Sequence, residues 1–215
     1  MKNLLLEPSN LVPSREALQG SLPLAMLGIT LTIAPCVRAD DECGIAGGST
    51  EVICDSSGNP YQNITYHTAT GLTLRLEAGV VAEDVSLVND TVRLEGSGSG
   101  LLRVEVAEGA TVVANGPYMH GVKVDAIGGS TSDIEIDVFG DLRFDSHKLA
   151  SDLVVSAGAG GFVHAGATGN ITITQHAGSE IIANGFDAGG LTASHSGDGN
   201  TTITTAGRIV VTDSE

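Results

Sequence analysis

The sequence predicts an all-β protein of the parallel β-helix (solenoid) kind, and three observations carry that prediction. Apolar and polar residues alternate with period two through most of the chain. A Gly-centred unit recurs at intervals of 29 to 38 residues. The apolar share is 41%, yet only 3% of residues are aromatic and none is Trp. Aromatic anchors supply much of the buried area of a thick globular core. Here burial falls to Val, Ile, Leu and Ala, which suits thin stacked layers.

The alternation marks strands with one buried face. It runs through Thr73-Leu74-Arg75-Leu76-Glu77, Leu102-Arg103-Val104-Glu105-Val106 and Asp133-Ile134-Glu135-Ile136-Asp137-Val138. It continues in Asn170-Ile171-Thr172-Ile173-Thr174 and, more weakly, in Thr201-Thr202-Ile203-Thr204-Thr205. Each strand is followed by a Gly and a second short apolar segment. The marker glycines are Gly79, Gly109, Gly140, Gly178 and Gly207, spaced 30, 31, 38 and 29 residues apart. Such self-similarity is the mark of an array whose units bury their apolar faces only against one another. Gly-rich links such as Gly158-Ala159-Gly160-Gly161 and Gly197-Asp198-Gly199 suit tight corners between the strands. A β-propeller would want four antiparallel strands per unit and more aromatics. A β-sandwich would show turns every 8–12 residues without the Gly echo.

Residues 1–39 differ in character and read as a secretory signal peptide. Lys2 and Arg15 precede the apolar run from Leu22 to Ala34, and Val37-Arg38-Ala39 fits signal peptidase cleavage between Ala39 and Asp40. Pro23, Gly28 and the shortness of the run argue against a transmembrane helix, with an uncleaved anchor as the competing reading. Pro35 before Cys36 disfavours a lipoprotein site. Beyond the leader stand two cysteines, Cys43 and Cys54, which in an exported protein read as one disulfide pinning an N-terminal cap over residues 40–66. A loop of that size contributes about 3 kcal/mol in the chain-entropy account. Zinc is the weaker alternative, since the nearest histidine, His67, stands alone. Residues 67–215 form the rungs.

The formal net charge is −16, from 26 acidic and 10 basic residues. That excludes a basic footprint for nucleic acid and electrostatic docking on anionic lipid. The acidic residues are dispersed, as on a solvated face.

The stretch Cys43-Gly44 through Val52-Ile53-Cys54-Asp55-Ser56-Ser57-Gly58-Asn59-Pro60-Tyr61 and Ile64-Thr65-Tyr66 resembles the start of Gram-negative autotransporter passenger domains. The units Gly169 to Thr174, Gly178 to Gly185 and Gly199 to Val211 are similar to the β-helical rungs of that family. The resemblance implies a right-handed parallel β-helix displayed on, or released from, the outer membrane, meeting a host or cell-surface ligand. It also implies a C-terminal translocator barrel. This chain reaches Asp213-Ser214-Glu215 directly after a rung, with no run of amphipathic barrel strands. The expectation is a passenger segment, surface-located or extracellular, and periplasmic if no barrel accompanies it.

Candidate chemistry is sparse. Gly96-Ser97-Gly98-Ser99-Gly100 lacks the nucleophile elbow, because its centre is Gly98, so Ser97 and Ser99 read as turn residues. His67, His120, His147, His164, His176 and His195 are scattered singly. Asp133, Glu135, Asp137, Asp141 and Asp145, with Arg143 among them, form the densest acidic set. A calcium-dependent polysaccharide lyase would draw on such a set, whereas any solvent face looks the same. Gly197-Asp198-Gly199-Asn200 and Gly128-Gly129 fall short of a calcium nonapeptide repeat. Asn63, Asn89, Asn170 and Asn200 head glycosylation sequons that an Asn/Thr-rich bacterial chain produces by chance. Tyr118, after Gly116-Pro117, is a lone aromatic in a turn. The expected function is an exported structural or adhesive scaffold with no catalytic, cofactor or metal residues. A secreted carbohydrate-acting β-helix enzyme is the alternative.

Overall fold

The computed structural model describes residues 42–84, 89–116, 119–146, 156–185 and 188–212. The expected signal peptide and its expected cleavage site at Ala39 and Asp40, His147, Tyr118 and residues 213–215 lie outside them.

Among the described residues there are sixteen strands, most of them alternating in sequence and all paired in parallel. β1 (Glu51–Cys54) belongs to the cap. Five triplets follow: β2 (Ile64–Thr68), β3 (Leu72–Leu76) and β4 (Val81–Asp84); then β5 (Val92–Gly96), β6 (Ser99–Val106) and β7 (Thr111–Asn115). The third is β8 (His120–Ala126), β9 (Thr131–Val138) and β10 (Asp141–Ser146), and the fourth is β11 (Ser156–Val163), β12 (Ile171–Gln175) and β13 (Glu180–Gly185). The last comprises β14 (Ala188–His195), β15 (Thr201–Thr205) and β16 (Arg208–Thr212). Each triplet contributes one strand to each of three sheets. Sheet I runs β2-β5-β8-β11-β14, sheet II runs β1-β3-β6-β9-β12-β15, and sheet III runs β4-β7-β10-β13-β16. The chain is a parallel β-solenoid, with four turns separating the first triplet from the last.

Period-two alternation aims one residue in two at the axis. In sheet II the register stacks Leu74, Val104, Ile136 and Ile173 in one buried column. In sheet III, Ala82, Val112, Leu142 and Ile181 make another. Each large aliphatic side chain so buried contributes about 1.5–3 kcal/mol. The core is therefore a set of ladders of small side chains, which is why Trp is dispensable.

The marker glycines perform two tasks. Gly79, Gly109 and Gly178 occupy the third position of four-residue turns, with φ of 83°, 81° and 96°. In these turns the N–H of Val80, Ala110 and Ser179 donates to the C=O of Glu77, Ala107 and His176. Gly140 and Gly207 sit in shorter corners without positive φ. There a Cβ would come within 2.4 Å of the Ala110 C=O at Gly140, or 2.5 Å of the Ser179 C=O at Gly207. One spacing thus serves a left-handed turn in three rungs and a close backbone approach in two. The long interval before Gly178 also has a structural basis. Asp145 pairs with Asn115, 30 positions back, whereas Ala157 pairs with His120, 37 positions back. The added length enters between β10 and β11.

Two readings of the sequence are corrected. Gly158-Ala159-Gly160-Gly161 is not a corner link but lies within β11, paired on both sides. A Cβ at Gly161 would meet Ile171 Cγ2 at 2.8 Å, so this strand is glycine-rich because its neighbours press close. Ser99 opens β6 rather than completing a turn.

The cap is closed by the Cys43–Cys54 disulfide, with Cα atoms 4.8 Å apart. Tyr66, fully buried, accepts the Cys43 N–H at its hydroxyl (3.1 Å) and donates to the Gly44 C=O (2.8 Å). Glu42 accepts the N–H of Gln62 at 2.7 Å, and Tyr61 donates to the Asp55 C=O at 2.8 Å. Burial pushes the Glu42 carboxyl above its ordinary pKa, against the lowering by the Gln62 N–H.

Candidate functional site

The outer face of sheet I gathers charged side chains into one network. Inward Val92 and Leu94 turn Arg93 and Glu95 of β5 outward, and inward Val122 and Val124 do the same for Lys123 and Asp125 of β8. His67 comes from β2 one rung below, His164 follows β11, and Asp90 and His120 stand at the corner where sheet III hands over to sheet I. Register makes these residues neighbours: His67 pairs with Glu95, and Arg93 with Lys123.

Asp125 is fully buried. Its Oδ1 lies 3.0 Å from His164 Nε2, and its Oδ2 lies 3.4 Å from Arg93 Nε and 3.7 Å from Lys123 Nζ. A buried carboxylate is tolerated only when paired in this way. Arg93 also reaches Glu95 at 2.7 Å, and Glu95 holds His67 Nδ1 at 3.1 Å. At the other end, Asp90 Oδ1 lies 2.9 Å from His120 Nδ1 and accepts the His120 backbone N–H at 2.9 Å. Lys123 Nζ is 3.7 Å from Asp90 Oδ2. Burial alone would raise the Asp90 carboxyl. His120 and Lys123 outweigh that and hold it below its ordinary pKa. Phe162 covers the network, edge-on to His120 at 5.2 Å between centroids and 5.3 Å from Lys123 Nζ. His120 Nε2 is buried without a hydrogen-bond partner.

A groove of about 250 Å³ flanks this face, lined by His67, Thr68, Ala69, Glu95, Ser97 and Ile127. It brings Ser97 beside the Glu95–His67 pair. The Ser97 hydroxyl, however, is turned to the Thr68 C=O at 3.5 Å. The groups this face offers to solvent are the exposed imidazoles of His67 and His164 and the partly exposed Arg93 and Lys123, whereas His120 is buried.

The acidic set on sheets II and III is dispersed into rung-to-rung bonds. Arg103 lies 2.8 Å from Asp137 and 3.8 Å from Glu135, and Arg75 is 3.4 Å from Glu105. Asp133 Oδ1 accepts the backbone and side-chain N–H of Asn170, and Asn170 Oδ1 does the same for Asn200. Asp141 accepts the Glu180 N–H, and Asp145 the Asn184 amide. His176 pairs with Asp137 at 3.0 Å and stacks on Phe139, with centroids 3.7 Å apart. His195 is bound to the Gly169 and Gly197 carbonyls. Among the described residues, no group of three or more His, Cys, Asp or Glu side chains converges as a metal site. Of the scattered histidines, three (His67, His120 and His164) share the sheet I network. The signal for this was in the sequence only as separation: a histidine 28, 30 or 39 positions from a carboxylate, which is one rung.

Fold and face together define a parallel β-solenoid with a charged wall and a disulfide-pinned cap. No family model, no curated protein and no solved structure matches the chain.

Proposed function

We propose that this protein is an exported structural or adhesive scaffold, a passenger-type segment of an autotransporter-like surface protein. The observation that carries the reading is the regular stack of three-strand rungs behind a cap closed by Cys43–Cys54. A disulfide persists in oxidising compartments, which agrees with export. A solenoid exposes long flat walls instead of a deep pocket, and walls suit adhesion to an extended partner. The ligand would meet the sheet I face, where Arg93, Lys123 and Phe162 lie together.

The test is to produce the chain in a Gram-negative cell and fractionate it. The expected product begins at Asp40, carries an oxidised Cys43–Cys54 pair and lies outside the cytoplasm. An uncut, reduced, cytoplasmic chain would sink the reading. Release of unsaturated oligosaccharides from polyuronates would replace the scaffold by the carbohydrate-acting enzyme.

A further inference from the structure

The outer wall of sheet I is layered by charge. The side chains of His67, Arg93, Lys123 and His164 are 23–56% exposed, whereas those of Asp90, Glu95 and Asp125 are only 1–18% exposed. In a chain of net charge −16, this wall turns its basic groups outward and covers its carboxylates. Lys123 has the most unspent donors. Its carboxylate neighbours, Asp90 and Asp125, both stand at 3.7 Å, beyond hydrogen-bond reach, and Nζ donates no hydrogen bond among the described residues. Phe162 sets a partly exposed ring 5.3 Å from Nζ. Hydroxyls rim the wall: Thr65 pairs with Arg93 at one end, and Thr192 and Ser194 pair with Gly160 and Phe162 at the other.

Geometry selects the occupant. From His67 beside β2 to His164 after β11 the wall crosses three rung intervals, about 14 Å at 4.8 Å each, which suits a chain molecule lying along the axis. β5, β8 and β11 are each paired on both sides, so no strand edge is open for a peptide to extend. Cations, hydroxyls and one ring face match a carboxylated sugar chain.

Charge sets the condition. Among the described residues, the wall holds two fixed cations, Arg93 and Lys123, against Asp90, Glu95 and Asp125, a sum of −1. Histidine is the side chain that gains charge between about pH 8 and 5, and protonation of His67, His120 and His164 takes that sum to +2. At 0.15 M salt, charges beyond about 8 Å are largely screened, so a short ligand meets mainly the wall.

We propose that sheet I binds a short carboxylated oligosaccharide in mildly acid solution and releases it near neutral pH. Lys123 and Arg93 meet the carboxylates, Phe162 packs on a sugar face, and the imidazoles switch the charge of the wall. The proposal rests on the adhesive reading for the placement of a ligand on this face.

The experiment is calorimetric titration of the full chain with tetragalacturonate at about pH 5.5 and about pH 7.5, in 0.15 M salt. The expected affinity is about tenfold or more higher at the lower pH. Lys123→Gln lowers the acid affinity about tenfold. His67→Gln/His164→Gln, at two exposed positions, brings the acid affinity down toward the neutral value without altering the β circular dichroism. Arg75→Gln, on sheet II, leaves binding intact, and the uncharged maltotetraose does not bind. Absence of binding at both pH values, equal affinity at both, equal affinity for a short heparin fragment, or acid binding that survives the histidine pair would each overturn the proposal. An exported, oxidised chain that fails to bind keeps the scaffold reading and loses only this one; a reduced, cytoplasmic chain loses the scaffold reading whatever it binds.

Discussion

At the scale of the residue, the Asp90–His120–Lys123 cluster is the place where a single charge matters most. Asp90 is largely withdrawn from solvent and bonded through one oxygen to both the ring and the backbone N–H of His120. Its folded pKa is depressed, so its contribution to stability is complete above the unfolded pKa and lost as pH falls through the folded one. Asp90→Asn should therefore cost about 2–3 kcal/mol at pH 7, the worth of a charge-assisted bond in a partly buried site. The difference from wild type should shrink steadily below about pH 4, where the unfolded chain begins to take up the proton. Urea unfolding of both proteins at pH 7 and pH 3 checks this, and a gap that persists at pH 3 would contradict the assignment. None of this network could be read from the sequence one residue at a time. His120 and Asp90 look like unrelated polar residues until the rung length is known, and that length varies from 28 to 39 residues along the chain.

At the scale of the element, the strands of sheet II were legible because Ile, Val and Leu alternate with Thr, Glu, Asp and Arg in an unbroken run. β11 was not. Its sequence, Ser-Ala-Gly-Ala-Gly-Gly-Phe-Val, carries the composition of a corner, and only the packing of Ile134, Ile171 and Ile181 against its glycines explains it as a strand. Corners were located by their glycines, but the reason for each glycine needed coordinates. Three positions separate the reasons experimentally. Gly169→Ala combines a φ of 143° with a Cβ 2.0 Å from the Ser132 C=O, and should cost about 3 kcal/mol or more. Gly79→Ala has the left-handed φ of 83° with its nearest neighbour at 3.7 Å, and should cost about 1–2 kcal/mol. Gly128→Ala meets nothing within 4 Å at an ordinary φ, and should stay within about 0.5 kcal/mol of wild type. Denaturant midpoints of the three variants give the order directly. Equal losses at Gly169 and Gly79 would show that close approach between rungs is not what constrains the corner.

At the scale of the whole molecule, stability is a sum over rungs and the contacts between adjacent rungs, so it need not be uniform along the axis. The period legible in the sequence predicts the stack and the cysteine pair predicts the pinned cap, while the register of one rung on the next emerges only from the fold. Charge acts on the stack as a whole. With a net charge of −16, the surface repels itself at long range, whereas the attractive pairs (Arg103 with Asp137, Arg93 with Glu95 and Asp125) are short and partly buried. Screening acts most on separations beyond about 8–10 Å and much less on partly buried contacts. Exposed pairs are worth only about 0–1 kcal/mol each in any case. Salt should therefore remove more repulsion than attraction. The thermal midpoint is expected to rise when sodium chloride is raised from low to physiological concentration, by several degrees if about 1 kcal/mol is recovered. The rise should be smaller in a variant with Glu77→Gln and Glu108→Gln, two solvent-facing carboxylates of neighbouring turns at the corner between sheets II and III. A midpoint that falls with salt would mean that the cross-rung ion pairs, not the net charge, govern how this stack holds together.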